Sequence, residues 1–292
     1  MTRNLALALG ATALLAAAGI AAWRLAPARS GADDHRVLVG EARPGGVTIA
    51  LPEAVADVRI REARVPGRPI VLIDPGHGGH DPGATGVSGT TSEKQLTLAM
   101  AGELADLLEK RGRVRVALAR DKDVFLTLDQ RAAIARHIGA SLFMSLHMDS
   151  APNPLARGAT FYSLSDVASS AEAARFARAE NEAGGARDGD ADGSLRAILS
   201  DLALRDQMEA SAALARRAVR RGQGRVLLRP RPHQFAAFHV LRRADVPALL
   251  VEAGYISNAD DEVALSTREG RAGFVLVLAQ AIEADLAARR LR

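Results

Sequence analysis

The chain has 292 residues, 48% of them apolar and 25% charged, with a formal net charge of +4; this supports a packed core in one or two domains and excludes whole-chain disorder. Zero cysteines exclude disulfides, thiolate catalysis and cysteine zinc sites. Lys94, Lys110 and Lys122 are the only lysines, so arginine carries the positive charge, but 3% aromatic content and the lack of a helix-turn-helix or stacking motif argue against nucleic acid.

From Leu5 to Trp23 the chain carries no charge, with Arg3 before it and Arg24 after it. A bilayer span needs about 20 apolar residues, and Ala26-Pro27-Ala28 resembles a weak cleavage site. Residues 1–28 are therefore expected to be a signal peptide or a membrane anchor, and either one implies export to the periplasm or beyond. Residues 29–68 are rich in Gly, Pro and Arg, and Val47 to Leu51 is their one β-prone stretch. They are read as a linker.

A regular pattern begins near residue 69. Short β-branched runs alternate with long helical stretches. Strands are predicted at Ile70 to Asp74, Val114 to Leu118, Leu142 to Leu146, Ala159 to Tyr162, Phe238 to Leu241 and Ala248 to Val251. Helices are predicted near Glu93 to Lys110, Leu128 to Ile138, Ala168 to Ala183, Leu195 to Arg221 and Arg271 to Arg290. The expected fold is α/β: a single domain over 69–292 with a mostly parallel twisted sheet flanked by helices, plus a helical insertion over 165–224. The Gly- and Asp-rich stretch from Gly184 to Gly193 reads as a solvated turn rather than a calcium loop, because it lacks the bidentate glutamate of an EF-hand.

Chemistry-bearing residues recur at strand ends. Ile70 to Asp74 leads into the glycine-dense turn Pro75-Gly76-His77-Gly78-Gly79-His80-Asp81. His147 ends the strand from Leu142, Glu252 ends the strand from Ala248, and Glu93 opens a helix after Ser92. Residues leaving the carboxyl ends of neighbouring parallel strands meet in one crevice. Two imidazoles and one carboxylate suit Zn²⁺ with a position left for water, and a further carboxylate can move protons. That combination points to peptide or amide hydrolysis. His80 is a rival ligand by spacing alone, while His35, His137, His233 and His239 lack such context.

At these residues the sequence resembles the zinc-dependent N-acetylmuramoyl-L-alanine amidases of the amidase type 3 family. Five elements occur in family order: Ile73 to Gly79, Glu93-Lys94, Ala119-Arg120-Asp121 with Leu128 and Arg131, Ser145 to Asp149, and Val251 to Asn258. The resemblance spans Ile70 to about Leu286. It implies that His77, Glu93 and His147 hold zinc, that Glu252 is the catalytic carboxylate and that His80 is not a ligand. The implied substrate is peptidoglycan, cut between N-acetylmuramic acid and L-alanine. A zinc peptidase acting on stem peptides and a non-catalytic wall-binding module are the competing readings.

Met148 is bulkier than the family's usual alanine, which suggests a narrowed site, Asp149 stands where asparagine is frequent, and Arg136 replaces a common asparagine. The insertion resembles the helical segment that covers the zinc in the division-associated branch of the family, with Ala179-Glu180-Asn181 placing Glu180 as a candidate inhibitory ligand. The implied partners are peptidoglycan and an activator protein that displaces the insertion. Contact with a membrane is expected only through the N-terminal segment, if it is not cleaved.

Overall fold

The computed structural model describes residues 58–185 and 195–290, with the side chains of 195–201 left aside. The leader, most of the linker, the Val47 to Leu51 stretch and most of the Gly/Asp-rich turn lie outside the described residues. Among the described residues no helix is long and apolar enough to cross a membrane.

The strands are β1 (Ile60–Arg61), β2 (Ile70–Pro75), β3 (Arg115–Leu118), β4 (Leu142–Asp149), β5 (Ala159–Leu164), β6 (Leu228–Ala236) and β7 (Ala248–Tyr255). They form one sheet in the order β1-β3-β2-β4-β7-β5-β6. The middle strands β3, β2, β4 and β7 run parallel, as expected of buried α/β strands with continuous apolar sequence. β5 pairs antiparallel with β7, and β6 runs alongside β5. The sheet is thus mixed: a parallel centre with one reversed flank, and β1 reversed at the other edge.

The helices are α1 (Glu93–Arg111), α2 (Leu128–His137), α3 (Ala171–Ala183), α4 (Leu195–Gly222), α5 (His239–Arg243), α6 (Ala259–Ser266) and α7 (Arg268–Arg289). α1 starts at Ser92, whose N–H donates to the Gln95 side chain, and stops at Gly112 in the left-handed conformation. Thr127 and Gln130 cap α2 reciprocally.

Two apolar layers sandwich the sheet. Val71, Ile73, Met144, Leu146, Leu249 and Val251 pack against α1, α7 and the later part of α4. Leu72, Phe143 and Leu250 face α2, α3 and α5. Period-2 alternation therefore sends Asp74, Ser145, His147 and Glu252 towards the α2/α3 side. Met148 falls on the opposite face, buried in the α1/α7 layer, so its bulk does not narrow the site. Arg136 finds a partner in the carbonyl of Arg243, at 2.5 Å.

Phe238 to Leu241 is not a strand; it caps and begins α5. A four-residue apolar run has no periodicity long enough to distinguish the two. β6, a stretch for which the sequence pattern predicted no element, contains Pro230 and Pro232, which suit it because it is the outermost strand and needs no donors on its free side. β1 lies within the stretch read as linker, where Val58 and Ile60 pack on the α2/α3-side layer.

Candidate metal and catalytic centre

The carboxyl ends of β2, β4 and β7 deliver the site. In the turn after β2, His77 has φ of 59°, a conformation a residue with a β-carbon seldom adopts. A buried guanidinium enforces it: Arg131 donates to the carbonyls of Pro75 (2.7 Å) and His77 (2.8 Å) and to Asp74 (2.5 Å). Arg120 holds the carbonyls of Pro75 (3.0 Å) and Gly76 (2.7 Å), and burial together with nearby Arg131 pulls its pKa down to about 10. Gly76 has to be glycine, because a β-carbon there would come within 2.4 Å of the His147 ring.

Glu93, first residue of α1, is 4% exposed. Its Oε2 accepts from the Ala84 N–H (2.9 Å) and its Oε1 from the Met148 N–H (3.0 Å). Oε1 also lies 3.0 Å from His77 Nε2 and 3.1 Å from His147 Nδ1. Burial opposes ionisation of Glu93, yet its bonds to His147 and His77 outweigh burial and hold the carboxyl well below the usual range. The imidazoles stand edge-on, with centroids 4.9 Å apart. Asp81 Oδ2 accepts from His77 Nδ1 at 2.8 Å, which leaves Nε2 as the atom aimed into the site. Despite burial, Asp81 and Glu93 raise the His77 pKa to about 10. This point in the molecule strongly favours positive charge.

Glu180, in the last turn of α3, approaches from above. Its Oε2 is 3.5 Å from His147 Nδ1, and one ligand atom each from His77, His147 and Glu180 lies within 4.8 Å of the others. Burial, offset by His147 and reinforced by Glu93, raises the Glu180 pKa. Asn181 anchors the helix: its side chain donates to the Ala237 carbonyl (2.9 Å) and accepts from the His239 N–H (2.8 Å). On its sheet side, Phe176 of α3 packs with Tyr162 and Phe238 in an aromatic cluster with centroids 5.1 to 5.6 Å apart. The space left between His77, His147, Glu180 and Arg131 is about 20 Å³. That holds one water or ion and no peptide.

Glu252 is level with His147 across the β4–β7 pairing and is fully buried, and neither carboxylate oxygen has a hydrogen-bond partner. Burial, then the charges of Asp149, Glu93 and Glu180, push its pKa well up. Asp149, at the end of β4, is raised to about 6 by burial. His80 is exposed and stacks on Phe125 at 4.2 Å, apart from the group formed by His77 and His147. Sequence reasoning did not assign roles to Asp74, Asp81, Arg120 and Arg131. Asp81 falls in the quoted glycine turn, and the two arginines fall in the quoted motifs, but their partners emerge only from tertiary structure.

A donor set of two imidazoles and carboxylates, with His77 Nε2 facing the Glu93 carboxylate at 3.0 Å and the buried Glu252 carboxylate left without a hydrogen bond, suits a divalent cation. Fold and site together define an α/β protein with a buried histidine–carboxylate cluster able to hold a divalent metal ion. The family model Amidase_3, N-acetylmuramoyl-L-alanine amidase, matches residues 71–284. N-acetylmuramoyl-L-alanine amidase AmiA of Escherichia coli K12 is 36% identical over 220 residues, covering 74% of this chain and 75% of that protein. AmiC of Escherichia coli O6:H1 is 34% identical over 208 residues, or 68% of this chain and 49% of AmiC. Among solved structures, AmiC2 of Nostoc punctiforme matches with a TM-score of 0.53 and 26% identity, covering 77% of this chain and 99% of that one. The chain belongs to the N-acetylmuramoyl-L-alanine amidase family.

Proposed function

We propose that this amidase is an exported zinc enzyme that cuts the amide between N-acetylmuramic acid and L-alanine in peptidoglycan. In this reading His77, Glu93 and His147 hold zinc, Glu252 is the catalytic carboxylate, and α3 with Glu180 keeps the site closed until an activator protein displaces it. The observation that carries the reading is that His77 Nε2 and His147 Nδ1 lie 3.0 and 3.1 Å from Glu93 Oε1, next to a buried carboxylate without hydrogen-bond partners.

When bound, zinc would supply Lewis-acid activation of water and of the scissile carbonyl. The protein supplies the rest. Asp81 fixes the ring of His77, as a carboxylate behind a metal-binding histidine does. Glu252, raised by burial, takes a proton from the attacking water and returns it to the leaving nitrogen as the carbon–nitrogen bond breaks. Glu180 is a tethered acid at high effective concentration. A restrained hydrolase suits septal splitting, where the wall must be cut only at a chosen time and place. The uncharged run from Leu5 to Trp23 supports export, either as a cleaved signal over 1–28 or as an anchor to the inner membrane.

The test is digestion of purified peptidoglycan followed by mass spectrometry, with chelator and with zinc restored. Release of intact stem peptides beginning with L-alanine, lost with chelator and recovered with zinc, is the expected result. Cleavage within the stem would instead identify a peptidase, and digestion indifferent to chelator would overturn the metal reading.

A further inference from the structure

One region far from the catalytic end is strongly basic. Arg68, Arg111, Arg113, Arg221 and Arg290 line a cavity of about 470 Å³ between the start of β2, the α1–β3 turn and the end of α7. A second cavity of about 520 Å³, lined by Arg217, Arg220 and Arg225, adjoins it through Arg221 and Ala284. Glu283 is the single carboxylate lining either one; it accepts from Nε and Nη2 of Arg111 at 2.7 Å and from Nη1 of Arg113 at 3.1 Å. Arg217 leans on Asp285 at 3.4 Å.

Arginine at helix carboxyl ends is ordinary, since it answers the negative pole of the dipole. That accounts for Arg111, for Arg220 and Arg221 in the last turn of α4, and for Arg290 at the end of α7. It does not account for Arg68, Arg113, Arg217 and Arg225. Arg113, Arg220, Arg221 and Arg225 are exposed, and Arg68 keeps a buried Nε without a hydrogen-bond partner. Placing so many like charges together costs repulsion that internal partners do not offset.

The guanidinium fork matches phosphate oxygens two at a time and does not lose its charge at working pH. The two open hollows spread these forks over a continuous face rather than around one ion. Glu93 and Arg111 are the first and last residues of α1, so the basic face lies on the order of 27 Å from the metal centre along that helix.

We propose that this arginine face docks on an anionic phospholipid bilayer, with the catalytic crevice pointing away from it. This membrane contact is separate from the N-terminal segment. It rests on the exported-enzyme reading only for which bilayer is met, and vesicle binding can be measured whether or not the chain cuts wall.

The test is co-sedimentation of the full chain with vesicles of phosphatidylcholine alone and of phosphatidylcholine containing phosphatidylglycerol. The leader, flanked by Arg3 and Arg24, is the same in every variant, so the loss of anionic excess on substitution reads the face. At about fivefold per arginine, R220Q/R221Q/R225Q/R290Q is expected to lose at least tenfold of that excess and keep its neutral-vesicle binding, thermal melt and amidase activity. R220Q/R225Q, two exposed positions, gives a smaller loss should the quadruple variant misfold. An unchanged excess in both variants overturns the proposal. So does its abolition by inorganic phosphate at matched ionic strength, which would mark a free-anion site. Weakened binding of the variants to purified peptidoglycan with the vesicle excess intact would assign the face to the wall instead.

Discussion

His77 takes a backbone conformation that costs a residue with a β-carbon about 1–2 kcal/mol, and it does so because Arg131 and Arg120 hold the surrounding carbonyls. The strain places Nε2 against Glu93 while Nδ1 stays on Asp81. Asp81→Asn keeps the shape but weakens the acceptor, so zinc affinity should fall by about 10- to 100-fold; competition with a fluorescent chelator measures it, and an unchanged constant would sink the role of Asp81. On the proposed assignment, Glu252→Gln leaves the donor set of His77, His147 and Glu93 intact and removes the proton carrier. Hydrolysis should drop by about 10²- to 10⁴-fold at unchanged metal content, and a normal rate would remove Glu252 from the chemistry.

α3 reaches the site because β5 is reversed. The chain leaves β5 at the end remote from the metal centre and climbs back along α3, so that its last turn brings Glu180 to His147. Asn181 holds that turn through two hydrogen bonds, each contributing about 0.5–1.5 kcal/mol. Asn181→Ala should therefore raise basal wall hydrolysis on the order of tenfold, as followed by dye release from labelled peptidoglycan. A folded variant with unchanged basal rate would count against the restraint.

The sequence pattern made β2, β4, β7 and the long helices legible, since their apolar runs are continuous or helical in period. The reversal of β5 was not legible, because strand direction leaves no mark on a six-residue stretch. β6 was masked by Pro230 and Pro232, tolerable only at an edge that composition does not reveal. The site was legible for the opposite reason: His77 follows an apolar strand by one turn, His147 and Glu252 each follow a continuous apolar run, and Glu93 opens a helix. Their clamps, Asp74 with Arg131 and Asp81 with His77, depend on side chains meeting across the turn, the pairing of Arg131 with Asp74 spanning 57 residues.

For the whole molecule, a cation held as proposed by His77 after β2, His147 on β4 and Glu93 at the start of α1 would tie the centre of the sheet to the helix packed on one of its faces. An ion that binds the folded chain alone stabilises it by about 2.7 kcal/mol at a hundredfold excess over its dissociation constant. Chelation should lower the melting temperature by roughly 5–10 °C for a domain of this size, and zinc should restore it. A melt identical with and without chelator would mean that the centre holds no ion in the folded state.

The anchors of α3 lie outside the catalytic chemistry, at Ala237 and His239 by its last turn and at Gln234 by its first, where Ser170 donates at 2.8 Å. On the proposed reading α3 is a latch, and it is fastened to the outermost strand and the bend that follows it. Its tightness can drift over evolutionary time, or yield to a tug from outside, without disturbing one atom that handles substrate.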